Sequence, residues 1–160
     1  VDTGLETMTA GRLKQVQKYV GNERFMLTYG DGVCDINMAE QLAYHEAKGK
    51  TCTMAIVQPG SRFGMIALDE NNIVKNFAEK PKDDGTWING GFFICEPETF
   101  NYLPEQVDDI MWERDPLEQL TQAGQLAAYR HEGFWKCMDT LRDNIDLNEM
   151  WENKPKWKNW

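Results

Sequence analysis

Phe25-Met26-Leu27-Thr28-Tyr29-Gly30-Asp31-Gly32 is the stretch on which the reading of the fold turns. A short apolar run that stops at a Gly-Asp-Gly turn reads as a buried strand. Downstream, Met38 to Lys48 reads as a helix stopped by Gly49, and Thr51 to Val57 as another strand. Strand, turn, helix and strand in that order indicate an α/β sheet with crossover helices. Upstream, residues 9–20 read as an amphipathic helix with Leu13, Val16 and Val20 on one stripe. Thr9 is its expected cap and Gly21-Asn22 its stop.

Beyond Val57 the style changes. Phe63 to Leu68 and Ile73 to Ala78 flank Asn71-Asn72, a hairpin signal. A charged loop, Lys80-Pro81-Lys82-Asp83-Asp84-Gly85, precedes an expected strand from Ile88 to Cys95. Gly90-Gly91 inside that strand suggests close approach of a ligand or another backbone. Short helices are expected at Glu98 to Leu103 and Pro116 to Gln122, and a strand at Leu126 to His131. A last helix runs from Thr140 to Trp151, with Leu141, Ile145 and Leu147 among its apolar residues. No repeat or linker interrupts the chain, so a single domain over 1–160 is expected.

The 160 residues suffice for one domain with a core. The formal charge of −9 argues against a nucleic-acid partner, because a phosphate backbone calls for a basic face. It leaves room for a small phosphorylated substrate, which needs only local cations or a carboxylate-held metal ion. No apolar run approaches a membrane span, and Val1-Asp2-Thr3-Gly4 is neither basic nor apolar, so a cytoplasmic protein is expected. Cys34, Cys52, Cys95 and Cys137 are far apart and are read as free thiols rather than a zinc or disulfide framework.

Several motifs admit a plain and a chemical reading. Gly30-Asp31-Gly32 is either a tight turn or a strand-end aspartate able to reach a metal. Glu79-Lys80-Pro81 is a solvated strand end, or a lysine for phosphate beside a glutamate for hydroxyls. Asn89-Gly90-Gly91 is a bulge, or an amide placed on a sugar hydroxyl with bare backbone beside it; Gly64, after Arg62-Phe63, allows the same pair of readings. Thr140 and Asp143 fit a capping box, which leaves Asp139 just before the cap and free to point elsewhere.

Taken in order, Thr28-Tyr29-Gly30-Asp31-Gly32, Arg62-Phe63-Gly64, Glu79-Lys80-Pro81, Ile88-Asn89-Gly90-Gly91-Phe92-Phe93, Gly133-Phe134-Trp135 and Met138-Asp139-Thr140-Leu141-Arg142-Asp143 resemble the sugar-1-phosphate nucleotidyltransferases, in their glucose-1-phosphate cytidylyltransferase branch. The opening, Asp2-Thr3-Gly4 with Met8-Thr9-Ala10-Gly11-Arg12, and the end, Trp157-Lys158-Asn159-Trp160, resemble it too, so the likeness runs through essentially the whole chain.

The resemblance implies an α/β, Rossmann-like nucleotidyltransferase fold, with a mixed sheet, flanking helices and a β-hairpin. It implies the parent reaction of CTP with glucose 1-phosphate to give CDP-glucose and pyrophosphate. It implies that Asp31 and Asp139 hold Mg2+ and that Lys80 grips the sugar phosphate, these three forming the catalytic set. Glu79 and Asn89 would take sugar hydroxyls, Gly64 and Gly90 would line the pocket with backbone, and Gly11 and Arg12 match a segment near the base, where a helix start offers free amides. The family's Gly-rich nucleotide loop, with the phosphate-gripping lysine after it, has no counterpart in these residues. The chain is therefore expected to be the C-terminal part of such a domain, with an incomplete fold, little catalysis alone and a tendency to form homo-oligomers. Two alternatives stand beside this: a non-catalytic sugar-phosphate-binding or interaction module, and an enzyme for dTTP or UTP. The Trp-rich end, with Trp151, Trp157 and Trp160, either packs on another subunit or folds back on its own chain.

Overall fold

The computed structural model describes residues 1–59, 65–78 and 86–158. These form two compact units. One comprises Val1–Gly30, Asn37–Ala55 and Gly91–Tyr129; the other comprises Asp31–Ile36, Ile56–Gly90 and Arg130–Trp160. The structure is α/β, as the alternation of strand and helix signals implies.

A four-stranded sheet carries the first unit. Its order is β1 (Phe25–Thr28), β6 (Ile88–Cys95), β3 (Cys52–Val57) and β7 (Leu126–His131). β1 runs antiparallel to β6, with Met26 opposite Ile94 and Thr28 opposite Phe92. Two helices pack on strands of this unit. From α1 (Thr9–Val20), Ala10 and Leu13 join a buried cluster with Cys52, Phe93, Cys95, Phe100, Trp112 and Leu120. From α2 (Met38–Lys48), Gln41 Nε2 donates to the Phe92 carbonyl, Tyr44 Oη to the Ala128 carbonyl, and His45 meets Thr53. α2 begins where the Asn37 side chain accepts from the Ala39 and Glu40 amides and ends at Gly49, whose φ of 56° favours glycine.

The cluster is aromatic and sulfur-rich. Phe93 meets Trp112 edge-on at 5.8 Å, and Phe25 stacks on Phe100 at 5.2 Å. Cys52 and Cys95 lie with sulfurs 3.7 Å apart as free thiols; their mutual hydrogen bond and burial push the Cys52 thiol far up. All four cysteines are free, as the sequence suggests. A 3-10 helix, Pro97–Tyr102, and α3 (Asp115–Gln122) complete this unit, with Pro near the start of each.

Thr9 does not cap α1. It is the first helical residue, and Met8 takes the cap position without a side-chain bond. The Thr9 hydroxyl donates instead to Glu113 Oε2 at 2.9 Å and accepts from the Trp112 amide at 2.7 Å. The Met8 and Ala10 amides donate to the carbonyls of Asp108 and Ile110. The helix start is thereby sewn to a loop distant in sequence, a tertiary demand that local capping rules do not foresee.

The second unit contains two ribbons and a helix. β4 (Met65–Leu68) and β5 (Val74–Ala78) form the anticipated hairpin. Its turn is closed by Asp69, whose carboxylate accepts from the Asn71 and Ile73 amides, while Asn72 takes the left-handed conformation at φ 63°. β2 (Gly32–Cys34) and β8 (Trp135–Cys137) form the other ribbon. α4 (Leu141–Glu152) opens with the predicted capping box between Thr140 and Asp143. Its apolar residues are not core: it buries no residue, and Leu141 is 78% exposed. The Trp-rich end folds back. Trp157 stacks on Phe134 at 5.6 Å and on Trp151 at 6.5 Å; Trp160 lies outside the described residues.

Candidate functional site

The β2–β8 ribbon does the work that the sequence left to inference. Its antiparallel register pairs Gly32 with Cys137, Val33 with Lys136, and Cys34 with Trp135. One further bond extends the ladder: the Met138 amide donates to the Asp31 carbonyl at 2.8 Å. Asp31 and the Met138-Asp139 pair, far apart in sequence, therefore meet at one end of the ribbon.

Asp139 is held from both sides. Before it, Lys136 Nζ reaches Asp146 Oδ2 at 2.7 Å and Asp143 Oδ1 at 3.7 Å, tying β8 to α4. After it, Thr140 enters the capping box, accepting from the Asp143 amide and donating to the Asp143 carboxylate. Asp139 is not free, as a purely local reading allows: its Oδ2 accepts from Cys137 Sγ at 3.2 Å. On the partner strand, burial pushes the Cys34 thiol up to about 11, so it stays protonated at neutral pH.

β6 contributes the next candidates. Asn89 and Gly90 lie in its first turn of pleat, and Trp135 Nε1 donates to the Gly90 carbonyl at 2.8 Å. The ribbon that presents Asp31 and Asp139 is thus tied directly to the Asn89-Gly90 backbone. Of the glycine pair, Gly91 is the one that geometry demands. Its φ is 79°, and a Cβ there would lie 2.6 Å from Tyr29 Cδ2. The close neighbour of Gly91 is this chain's own Tyr29 ring.

Gly64, Glu79 and Lys80 lie outside the described residues. Gly11 and Arg12 belong to the other unit. Gly11 sits where a Cβ would lie 3.0 Å from the Asp108 Cα and the Val107 oxygen, so it permits close packing of α1 on that loop. The Arg12 guanidinium donates to Thr3 Oγ1 at 2.7 Å and the Leu5 carbonyl at 3.1 Å, pinning the opening segment. Two amides at this helix start, those of Met8 and Ala10, are already spent on backbone carbonyls, which narrows the set of free donors inferred from the sequence.

Asp31 and Asp139, whose backbones the ladder makes near neighbours, are hard oxygen donors of the kind Mg2+ takes; that ion commonly uses one or two carboxylates and completes its shell with water and phosphate oxygens. Among the described residues no group of three or more His, Cys, Asp or Glu side chains could hold a metal by itself. The donor set therefore fits an ion that arrives with, or is completed by, a phosphorylated ligand.

Sequence reasoning missed the parts that build this corner: β2, β8, Asp35, His131 and Lys136. The signal available was Gly133-Phe134-Trp135, legible only as part of a resemblance.

Residues 4–154 match the family described as nucleotidyl transferase. The glucose-1-phosphate cytidylyltransferase of Salmonella typhimurium is 45% identical over 162 residues, covering all of this chain and 62% of that protein. A mannose-1-phosphate guanylyltransferase catalytic subunit beta from Drosophila melanogaster is 30% identical over 140 residues, covering 84% of this chain and 37% of that protein. A UDP-glucose pyrophosphorylase solved with UDP-glucose superposes with a TM-score of 0.69 at 18% identity, covering 96% of this chain and 65% of that one; at that identity the likeness concerns the fold. The chain thus spans about three-fifths of the length of the cytidylyltransferase it matches.

Proposed function

The chain belongs to the nucleotidyl transferase family, and from that premise we propose that it provides the sugar-phosphate and metal side of a sugar-1-phosphate nucleotidyltransferase, in the reaction of CTP with glucose 1-phosphate to give CDP-glucose and pyrophosphate. The observation that supports this best is the Asp31–Met138 bond, which makes the Asp31 and Asp139 backbones near neighbours at the end of the ribbon. In this reading the two carboxylates hold Mg2+. The ion, when bound, offsets the negative charge that grows on the reacting phosphate.

The chain's own residues bind and orient. Transfer between phosphates asks little covalent work of side chains, so alignment of the attacking sugar-phosphate oxygen matters most. Lys80 supplies the point charge for the sugar phosphate, while Glu79 and Asn89 take sugar hydroxyls. Gly64 and Gly90, lacking side chains, suit the lining of the sugar pocket.

Calorimetry with glucose 1-phosphate in the presence of Mg2+ tests the reading, with pyrophosphate release measured on the same protein using CTP, UTP and dTTP in turn. Binding that depends on Mg2+, and is lost in both Lys80→Ala and Asp139→Asn, is the expected result. Heat signals absent for glucose 1-phosphate at every Mg2+ concentration would sink it.

A further inference from the structure

We propose that Asp35 is a positioning residue that locks the register of the β2–β8 ribbon and so keeps Asp139 beside Asp31. This inference rests on the assignment of Asp31 and Asp139 given above, and it adds a residue that the sequence motifs do not mark.

The need for a lock follows from the ribbon's size. Each strand is three residues long, and one of the six residues is Gly32. Two-stranded ribbons this short are marginal by themselves, and glycine-containing strands specify register weakly. A slip of one residue would turn every β8 side chain to the opposite face, and would move Met138 off Asp31.

Asp35 follows β2 directly and grips the entry to β8 at a single residue. Its amide donates to the Phe134 carbonyl at 3.1 Å, and its Oδ1 accepts from the Phe134 amide at 2.7 Å. Backbone and side chain of one residue thus hold both polar groups of another. His131 closes the arrangement: its Nε2 lies 3.1 Å from Asp35 Oδ1 and 3.1 Å from the Phe134 carbonyl. Gly133 leaves room for it, because a Cβ there would run into Asp35 Oδ1 and stand 2.7 Å from His131 Cε1. With Asp35 bound to Phe134 at one end, the ladder runs on to Asp31 and Met138 at the other. The lock and the acid pair are therefore opposite ends of one short ladder.

Two measurements on the full chain test this. Amide hydrogen exchange at Met138 reports the ladder bond to Asp31 whether or not a metal binds. Asp35→Ala is expected to speed it by about tenfold or more, the equivalent of a lost charge-assisted hydrogen bond, while amides of β6 keep their protection. Asp35→Asn retains an oxygen for the Phe134 amide and is expected to restore most of the protection. The second measurement is Mn2+ affinity by electron paramagnetic resonance, expected to weaken by about 10- to 100-fold in Asp35→Ala, as for other residues that orient metal ligands, and to recover in Asp35→Asn. If Asp35→Ala does not fold, Gly133→Ala displaces the same carboxylate and serves in its place. Unchanged Met138 exchange overturns the proposal, as does a loss of thermal stability in Asp35→Ala with Mn2+ affinity intact. Wild-type protein that takes no Mn2+ overturns the metal assignment instead, and Met138 exchange then decides the role of Asp35 alone.

Discussion

Gly91 and Tyr29 show how one residue's absence of a side chain lets another fill the space. The Tyr29 ring lies against the Gly91 backbone and meets Phe93 edge-on at 5.7 Å, while the Tyr29 amide donates to the Gly91 carbonyl. Gly91→Ala would combine a strained positive φ with an overlap on an aromatic ring. The expected cost is about 2 to 4 kcal/mol, read as a lower urea midpoint with unchanged slope. A charged cluster gives a second residue-scale test. Arg24 bonds Glu96 and Glu46, and buried His45 bridges Glu96 and Thr53. Arg24, with a smaller contribution from His45, holds the Glu96 carboxyl below its usual range. A carboxyl lowered in the folded state favours folding above its ordinary pKa of about 4.3, and loses that contribution as pH falls through the lowered value. Wild type should therefore melt above Glu96→Gln near neutrality, and the gap should close as acid protonates Glu96. A gap that stays constant from pH 7 into strong acid would refute the assignment.

At the scale of elements, legibility depended on whether the cause of an element was local. α2 runs Met38–Lys48 and β7 Leu126–His131, the limits read from sequence, because the signals are local: Gly49 stops α2, and Gly124 stands just ahead of β7. The β4–β5 hairpin was legible for the same reason, through Asn71-Asn72. β2 and β8 were not, since three residues cannot show an alternation and their partners lie far along the chain. That is also why Asp31 and Asp139 could be named but not joined without a resemblance, and why Asp35 passed unnoticed. Thr9 was misread because its partners, Glu113 and the Trp112 amide, arrive only in three dimensions. The Thr140–Asp143 box was read correctly and gives an element-scale prediction. Because α4 buries nothing, its start depends on that box; Thr140→Ala should cost about 1 kcal/mol and raise exchange in the first turn of α4. Equal exchange in both proteins would mean that the Lys136–Asp146 pair, not the cap, holds the helix start.

Across the molecule, burial is distributed unevenly, and stability should follow it. The cluster of the first unit includes Trp112, Phe93 and Leu120, all nearly inaccessible, whereas Ile145 of α4 is half exposed. Truncating a buried large side chain loses its transfer energy and leaves a cavity, while an exposed one loses little. Leu120→Ala is expected to cost about 2 to 5 kcal/mol and Ile145→Ala about 0.5 or less. Trp112 is a more discriminating probe, because its indole nitrogen is buried with no hydrogen-bond partner among the described residues. Trp112→Phe removes that unpaired donor, worth about 1 to 3 kcal/mol, while opening a smaller void than alanine would. The two effects oppose each other, so Trp112→Phe should be far milder than Trp112→Ala, which loses about 3 to 5 kcal/mol. Chemical denaturation of the two variants side by side decides it. Near-equal losses would mean that the indole N–H is satisfied in solution, and that the cluster's tolerance of Trp112 comes from a bound water rather than from packing.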